Sequence, residues 1–201
     1  MIDVSTADRI TTIRFARPDK KHALTLAMYV ALRQALEAAE ADATVRAIVI
    51  TGGRDCFTAG NDLGDFARVG QGGDMTAPLD FLRALASCAK PVVAAVNGVA
   101  IGIGTTMLLH CDLVYAGPTA RFKTPFVDLG LVPEAASSLL LPQLVGARRA
   151  AQLLLLGEQL DAPTALAWGL VNAVVDDADA AAQAAARQLA SRAPAALRQS
   201  K

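Results

Sequence analysis

A single glutamate, Glu134, ends the run Thr124-Pro125-Phe126-Val127-Asp128-Leu129-Gly130-Leu131-Val132-Pro133-Glu134. Two glycine-bearing stretches precede it. Phe57-Thr58-Ala59-Gly60-Asn61-Asp62-Leu63 follows a run of strand length, and its glycine allows a sharp turn that aims successive N–H groups into one concavity. Asn97-Gly98-Val99-Ala100-Ile101-Gly102-Ile103-Gly104 brings glycines to a helix start, where free N–H groups point outward at the positive end of the dipole. Such an end can hold phosphate or a developing oxyanion. It does not fit the dinucleotide pattern G-x-G-x-x-G, because Met107 takes the third glycine position. Each feature alone has a plainer reading: an ordinary turn, close backbone packing, a solvated acid at a helix start. Together they equip a site for enolate chemistry on a thioester. The N–H donors stabilise negative charge on the carbonyl oxygen, and the carboxylate takes the α or γ proton. Losing one such donor raises a barrier by about 3–4 kcal/mol.

The elements that must position these groups are legible from hydrophobic pattern and punctuation. Residues 10–15 alternate as a short strand, and Arg17-Pro18-Asp19-Lys20-Lys21 is a turn. Thr25 caps a helix with Leu26, Tyr29, Leu32 and Leu36 on one face and Glu37, Glu40 and Asp42 toward solvent. Ala47-Ile48-Val49-Ile50-Thr51 is a continuous apolar run, which predicts a strand buried on both faces. Residues 70–78, rich in glycine, read as a mobile surface loop. Beyond it the pattern predicts a helix over 81–88, a strand over 91–96, a helix from Gly102 through His110, and a strand over 113–116. Short helices follow: one ending near Gly146, one over 148–156, and one capped by Asp161 and stopping at Gly169. A strand over 171–175 and a helix over 177–192 come last, and the segment after Pro194 shows no clear helix stop. Alternating strands and helices predict an α/β fold with mostly parallel pairing.

Composition narrows the function classes. The 201 residues, 53% hydrophobic and 19% charged, predict one globular domain. Nineteen basic and nineteen acidic side chains cancel, so a broad nucleic-acid footprint is not expected. Cys56, Cys88 and Cys111 are odd in number and lack CxxC spacing, which predicts reduced structural thiols rather than disulfides or a metal site. Met1-Ile2-Asp3-Val4 opens without a long apolar run, and no stretch reaches membrane-span length; a cytoplasmic protein off the membrane is the expectation.

Beyond these readings, the chain resembles the crotonase, or enoyl-CoA hydratase/isomerase, superfamily over essentially its whole length. The matching stretches include Arg17-Pro18, His22-Ala23-Leu24, the loop from Phe57 to Leu63, and Lys90-Pro91-Val92-Val93-Ala94-Ala95-Val96-Asn97-Gly98-Val99-Ala100. Cys111-Asp112-Leu113, Ala120-Arg121-Phe122, Leu141-Pro142, Val145-Gly146 and Gly169-Leu170-Val171 follow in order. The resemblance implies a spiral of repeated strand-strand-helix units with a helical C-terminal part. It implies one domain over 1–201, with the family's trimerisation and lid helices largely beyond Lys201, and a homotrimer or dimer of trimers. It also implies an oxyanion hole from the backbone N–H groups of Asn61 and Ile103. Coenzyme A enters as part of an acyl-CoA thioester substrate, with no further cofactor, against Lys21, Ala23, Thr58, Ala59, Gly60, Asn61, Asp62, Leu63 and Phe126. Arg17 and Lys20 are added candidates for its phosphates.

The family's two hydratase glutamates would fall at Thr106 and Phe126. A threonine hydroxyl is too weak an acid to act as a base near neutral pH, and phenylalanine has no proton to move. The segment from Lys123 to Glu134 with Ser137-Ser138 instead resembles the Δ3,Δ2-enoyl-CoA isomerase branch, where the single catalytic glutamate matches Glu134. Two other readings stay open: a hydratase-like or other lyase or hydrolase of the superfamily using Asp62, Asp65, Asp112 or Asp128, and a non-catalytic acyl-CoA-binding protein. His22, His110 and Trp168 read as structural.

Overall fold

The structure, a computed structural model, describes residues 1–70 and 74–201. Its main sheet has six strands in the order β1 (Ile2–Ala7), β2 (Ile10–Phe15), β3 (Ala47–Thr51), β4 (Val92–Val96), β6 (Leu113–Ala116) and β9 (Ala173–Val174). Only the β1–β2 hairpin is antiparallel; the remaining pairs are parallel. A second sheet joins β5 (Val99–Ile101), β7 (Arg121–Lys123) and β8 (Leu160–Asp161). The helices are α1 (Leu26–Ala41), α2 (Leu63–Gly70), α3 (Thr76–Ser87), α4 (Ile103–Thr106), α5 (Ser137–Val145), α6 (Ala147–Leu155), α7 (Ala162–Ala167), α8 (Ala178–Ala190) and α9 (Pro194–Ser200). A strand-strand-helix order recurs as β1-β2-α1, β4-β5-α4 and β6-β7-α5. The α/β class expected from the sequence is the one observed.

Every residue of β3 and β4 is buried, and their alternation divides the core in two. Ile48, Ile50, Val92, Ala94 and Val96 face a large cluster with Leu32 and Leu36 of α1 and Phe81 and Leu85 of α3. Ala47, Val49, Val93 and Ala95 face a smaller one built with Ala178, Ala182, Ala185, Ala186 and Ala190. These alanines fall on one side of α8, so the alanine-rich C-terminal segment is a sheet-packing face. Thr25 caps α1 by accepting from the Met28 N–H, and Asp161 and Asp177 cap α7 and α8 in the same way.

Several elements depart from the sequence reading. β1, α2, β5, β7, β8 and α9 are not expected from the sequence, because strands of two or three residues, an edge strand and helices of two turns are too short for a period to stand out. The surface-loop expectation for residues 70–78 fails at its C-terminal flank, since Thr76–Pro78 begin α3; residues 71–73 lie outside the described residues. The helix predicted through His110 tightens to a 3-10 turn over Met107–His110. The three cysteines are unpaired thiols, and burial pushes Cys88 up to about 11. Among the described residues, no helix is long and apolar enough to cross a membrane.

Asp179, in the first turn of α8, ties that helix to the strand ends. It accepts from Thr51 Oγ1 at 2.8 Å and Asn97 Nδ2 at 3.1 Å, with Arg14 Nη2 at 3.5 Å. Asn97 also donates to the Gly53 carbonyl at 3.0 Å. Thr51 is fully buried, so losing its acceptor strands a buried hydroxyl. Asp179→Ala is expected to lower unfolding stability by about 1–3 kcal/mol in a urea titration, with the α8 amides losing hydrogen-exchange protection first.

Candidate active site

Two loops meet because glycines let them. Gly60 has φ +91°, and a Cβ there would stand 2.8 Å from the Ile101 carbonyl oxygen. Any side chain would push the 58–63 loop off β5. Thr58 pairs with Ala100, and Leu24 pairs with Asn61, so three chain segments converge on this turn. Gly102, φ +56°, then reverses the backbone into α4. As a result Asn61 and Ile103 line the same cavity. Neither of their backbone N–H groups finds an acceptor among the described residues. Ile103 is the first residue of α4, where an N–H has no partner within the helix.

The cavity holds about 320 Å³ and is walled mainly by apolar side chains. Met75, Pro78, Leu79 and Leu82 come from α3 and the residue before it; Phe126, Leu129, Leu131 and Val132 come from the segment leading to Glu134. Among the described residues, Glu134 is the only carboxylate lining it. Burial holds the Glu134 carboxyl above its ordinary value of 4.5, and a hydrogen bond from Thr106 works against that shift. Thr106 Oγ1 donates to Glu134 Oε1, and the same hydroxyl lies 3.3 Å from the Gly102 carbonyl. Tyr29, from α1, donates its hydroxyl to Asn61 Oδ1 on the cavity wall. Burial first, and the charge of Glu134 second, raise the Tyr29 phenol well above 10.

Of the residues singled out in the sequence, Ala59, Gly60, Asn61, Leu63, Ile103, Phe126 and Glu134 line this one cavity. Lys21, Ala23, Thr58 and Asp62 do not. Thr58 is fully buried, donating to the His22 carbonyl at 2.7 Å and accepting from the Gly60 N–H at 3.1 Å. The Asp62 carboxylate takes Arg17 Nη1 at 2.7 Å and caps the start of α2 through the Gly64 and Asp65 N–H groups. Arg17 also donates to the Ala23 carbonyl. Lys21 faces a separate cleft with Arg14 and Arg54.

The alternative acids are occupied elsewhere. Asp128 pairs with Lys123 at 2.8 Å, Asp65 accepts from the Leu26 N–H at 2.9 Å, and Asp112 accepts from the Val92 N–H and Lys201. His22, with φ +56°, accepts the Arg17 N–H at Nδ1 inside its turn. Trp168 packs against the core beneath Arg149.

Tyr29 and the donor role of Thr106 escaped sequence reading. Thr106 lies three residues after Ile103, a spacing that places both on one helical face. That spacing was the available signal, masked by treating Thr106 as the loss of an acid. Thr106→Val removes the one hydroxyl favouring the ionised carboxyl, so the Glu134 titration, followed by isotope-edited infrared absorption, is expected to move further upward.

Comparison with known proteins agrees with this architecture. Residues 5–201 match the family described as enoyl-CoA hydratase/isomerase. The chain is 42% identical over 177 residues to enoyl-CoA delta isomerase 2 of Rattus norvegicus, a match covering 85% of this chain but 45% of that protein. It is 38% identical over 192 residues to 1,2-epoxyphenylacetyl-CoA isomerase of Escherichia coli (strain K12), covering 91% of this chain and 73% of the relative. The solved structure of an enoyl-CoA hydratase/isomerase from Pseudoalteromonas atlantica T6c superposes with a TM-score of 0.94 at 47% identity, over 99% of this chain and 80% of that one. The whole-length match, together with a crotonase-type neighbour at nearly half its residues identical, means that this chain belongs to the enoyl-CoA hydratase/isomerase family.

Proposed function

We propose that the protein shifts the double bond of a 3-enoyl-CoA thioester to the 2-position, with Glu134 as the proton carrier. The observation that carries this reading is a single half-buried carboxylate lining an apolar cavity beside two unpaired backbone N–H groups. The relatives named as enoyl-CoA delta isomerase support it. In this mechanism the thioester oxygen accepts from the Asn61 and Ile103 N–H groups. Ionised Glu134 takes a proton from C2, and the electron pair spreads over C2, C4 and the oxygen as a dienolate. Glu134 returns the proton to C4, leaving the double bond between C2 and C3. No atom is gained or lost.

Thr106 suits both states of the shuttle. It donates to Glu134 as a carboxylate. When Glu134 carries the proton, the hydroxyl can accept it as a hydrogen bond and turn its own hydrogen to the Gly102 carbonyl. The raised carboxyl value makes Glu134 a stronger base than an exposed glutamate. Hydration needs a second acid-base group at the reacting carbons. Thr106 and Phe126 offer no carboxylate there, and Asp128 is paired with Lys123. The CoA moiety is assigned to Lys21, Ala23 and the 58–63 loop. A homotrimer or dimer of trimers, as the family resemblance implies, is part of this reading, and the exposed Leu139, Leu144 and Leu155 of α5 and α6 leave apolar surface free for other contacts.

Glu134→Gln is expected to cut isomerisation of 3-enoyl-CoA by roughly 10²–10⁴-fold; turnover at the wild-type rate would exclude the shuttle. Hydration of crotonyl-CoA at a rate rivalling isomerisation would favour a hydratase. Tight thioester binding without exchange of the C2 protons into solvent would favour a silent binding protein. In the wild type, the rate should fall as pH drops through the raised Glu134 value, because the base becomes protonated. Stability should show the opposite trend. Below about 4.5 the carboxyl is protonated in both folded and unfolded chains. Above that, the unfolded chain ionises first, so folding loses stability as pH rises toward the folded value. Glu134→Gln is therefore expected to melt higher than wild type at neutral pH, with the gap closing in acid. Light scattering is expected to give three or six chains per particle.

A further inference from the structure

Glu134 sits on an unusual turn. Ala135 and Ala136 both have φ +53°, a left-handed conformation that residues with side chains adopt rarely. Two in succession persist only where the surroundings over-determine them. Three contacts do so. The Glu134 carbonyl accepts from the Ser137 N–H at 2.9 Å and from Ser137 Oγ at 2.6 Å. The next carbonyl, that of Ala135, meets His110 Nε2 at 2.9 Å. A carbonyl only accepts, so Nε2 carries the hydrogen.

His110 belongs to the same continuous segment as Ile103 and Thr106, at spacings of three and then four residues. Ile103 and Thr106, three apart, share one face of α4, and the 3-10 turn that follows carries His110 to the Ala135 carbonyl. Ile103 presents its N–H to the cavity, Thr106 grips the Glu134 carboxylate, and His110 grips the backbone beside it. Resting on the isomerase reading, we propose that this segment is a ruler setting the separation between oxyanion donors and base, and that His110 is the positioning residue at its far end. It touches no substrate. It acts by denying the strained turn the freedom to relax and swing Glu134 out of register with C2 and C4.

The test compares kcat and KM for 3-enoyl-CoA isomerisation, with melting curves, in wild type, Glu134→Gln, His110→Phe and His110→Gln. Phenylalanine keeps ring volume without a donor; glutamine keeps an N–H donor at similar reach. His110→Phe is expected to lower kcat on the order of tenfold or more, since small misplacements of a reacting group are costly, while KM stays unchanged. His110→Gln should recover most of the loss. Wild-type kcat in His110→Phe, or a His110→Gln variant as slow as His110→Phe, would overturn the proposal while leaving an inactive Glu134→Gln in support of the isomerase reading. An active Glu134→Gln would remove that reading and this one with it. If His110→Phe does not fold, His110→Leu carries the same comparison.

Discussion

A carboxylate only half open to water, set in an apolar cavity, governs this molecule. Moving an ionisable group into an apolar wall is unfavourable unless hydrogen bonds compensate, and here a single threonine hydroxyl provides the direct compensation. The surrounding scaffold is what keeps the group there. β5 and the 58–63 loop approach so closely that only glycine fits at position 60, and α1 reaches in to hold Asn61 through Tyr29. In the proposed shuttle, local stability is traded for chemistry at Glu134: the desolvation that weakens the fold at neutral pH is what would give the base its strength.

The arrangement also separates function by wall. One side of the cavity supplies backbone amides, which neither titrate nor rotate. The titrating group sits on a turn held by hydrogen bonds and by the packing of Ala135 against the core. Apolar residues of α3 and of the segment before Glu134 fill the space between. In the proposed mechanism, a thioester with its carbonyl against the amides meets carbon, not oxygen, along most of the remaining wall, which would keep water from the path of the proton.

The buried framework was open to sequence reading because its signals are local. Continuous apolar runs marked β3 and β4, and the cap residues Thr25 and Asp161 marked α1 and α7. The two glycine-bearing loops and Glu134 were legible as chemistry only together, since each alone reads equally well as a turn, close backbone packing or a solvated acid. What escaped was tertiary. That Tyr29 would reach Asn61, 32 positions away, or that His110 would hold the carbonyl of Ala135, 25 positions away, depends on packing angles that no periodicity encodes. Asp128 illustrates the reverse: near Phe126 in sequence, it turns away to Lys123.

The alanine face of α8 has a consequence for how the chain is made. β3 and β4 are complete once residue 96 has been synthesised, yet one side of both waits for residues 178–190 to cover it. Until then Val49, Val93 and their neighbours form an uncovered, β-branched surface on a parallel sheet. Contacts spanning such separations, including Thr12 with Gln183, 171 positions apart, slow folding because distant segments must meet before either is rewarded. The nascent chain is thus exposed to self-association over most of its synthesis, and chaperone dependence should be greatest just before α8 emerges.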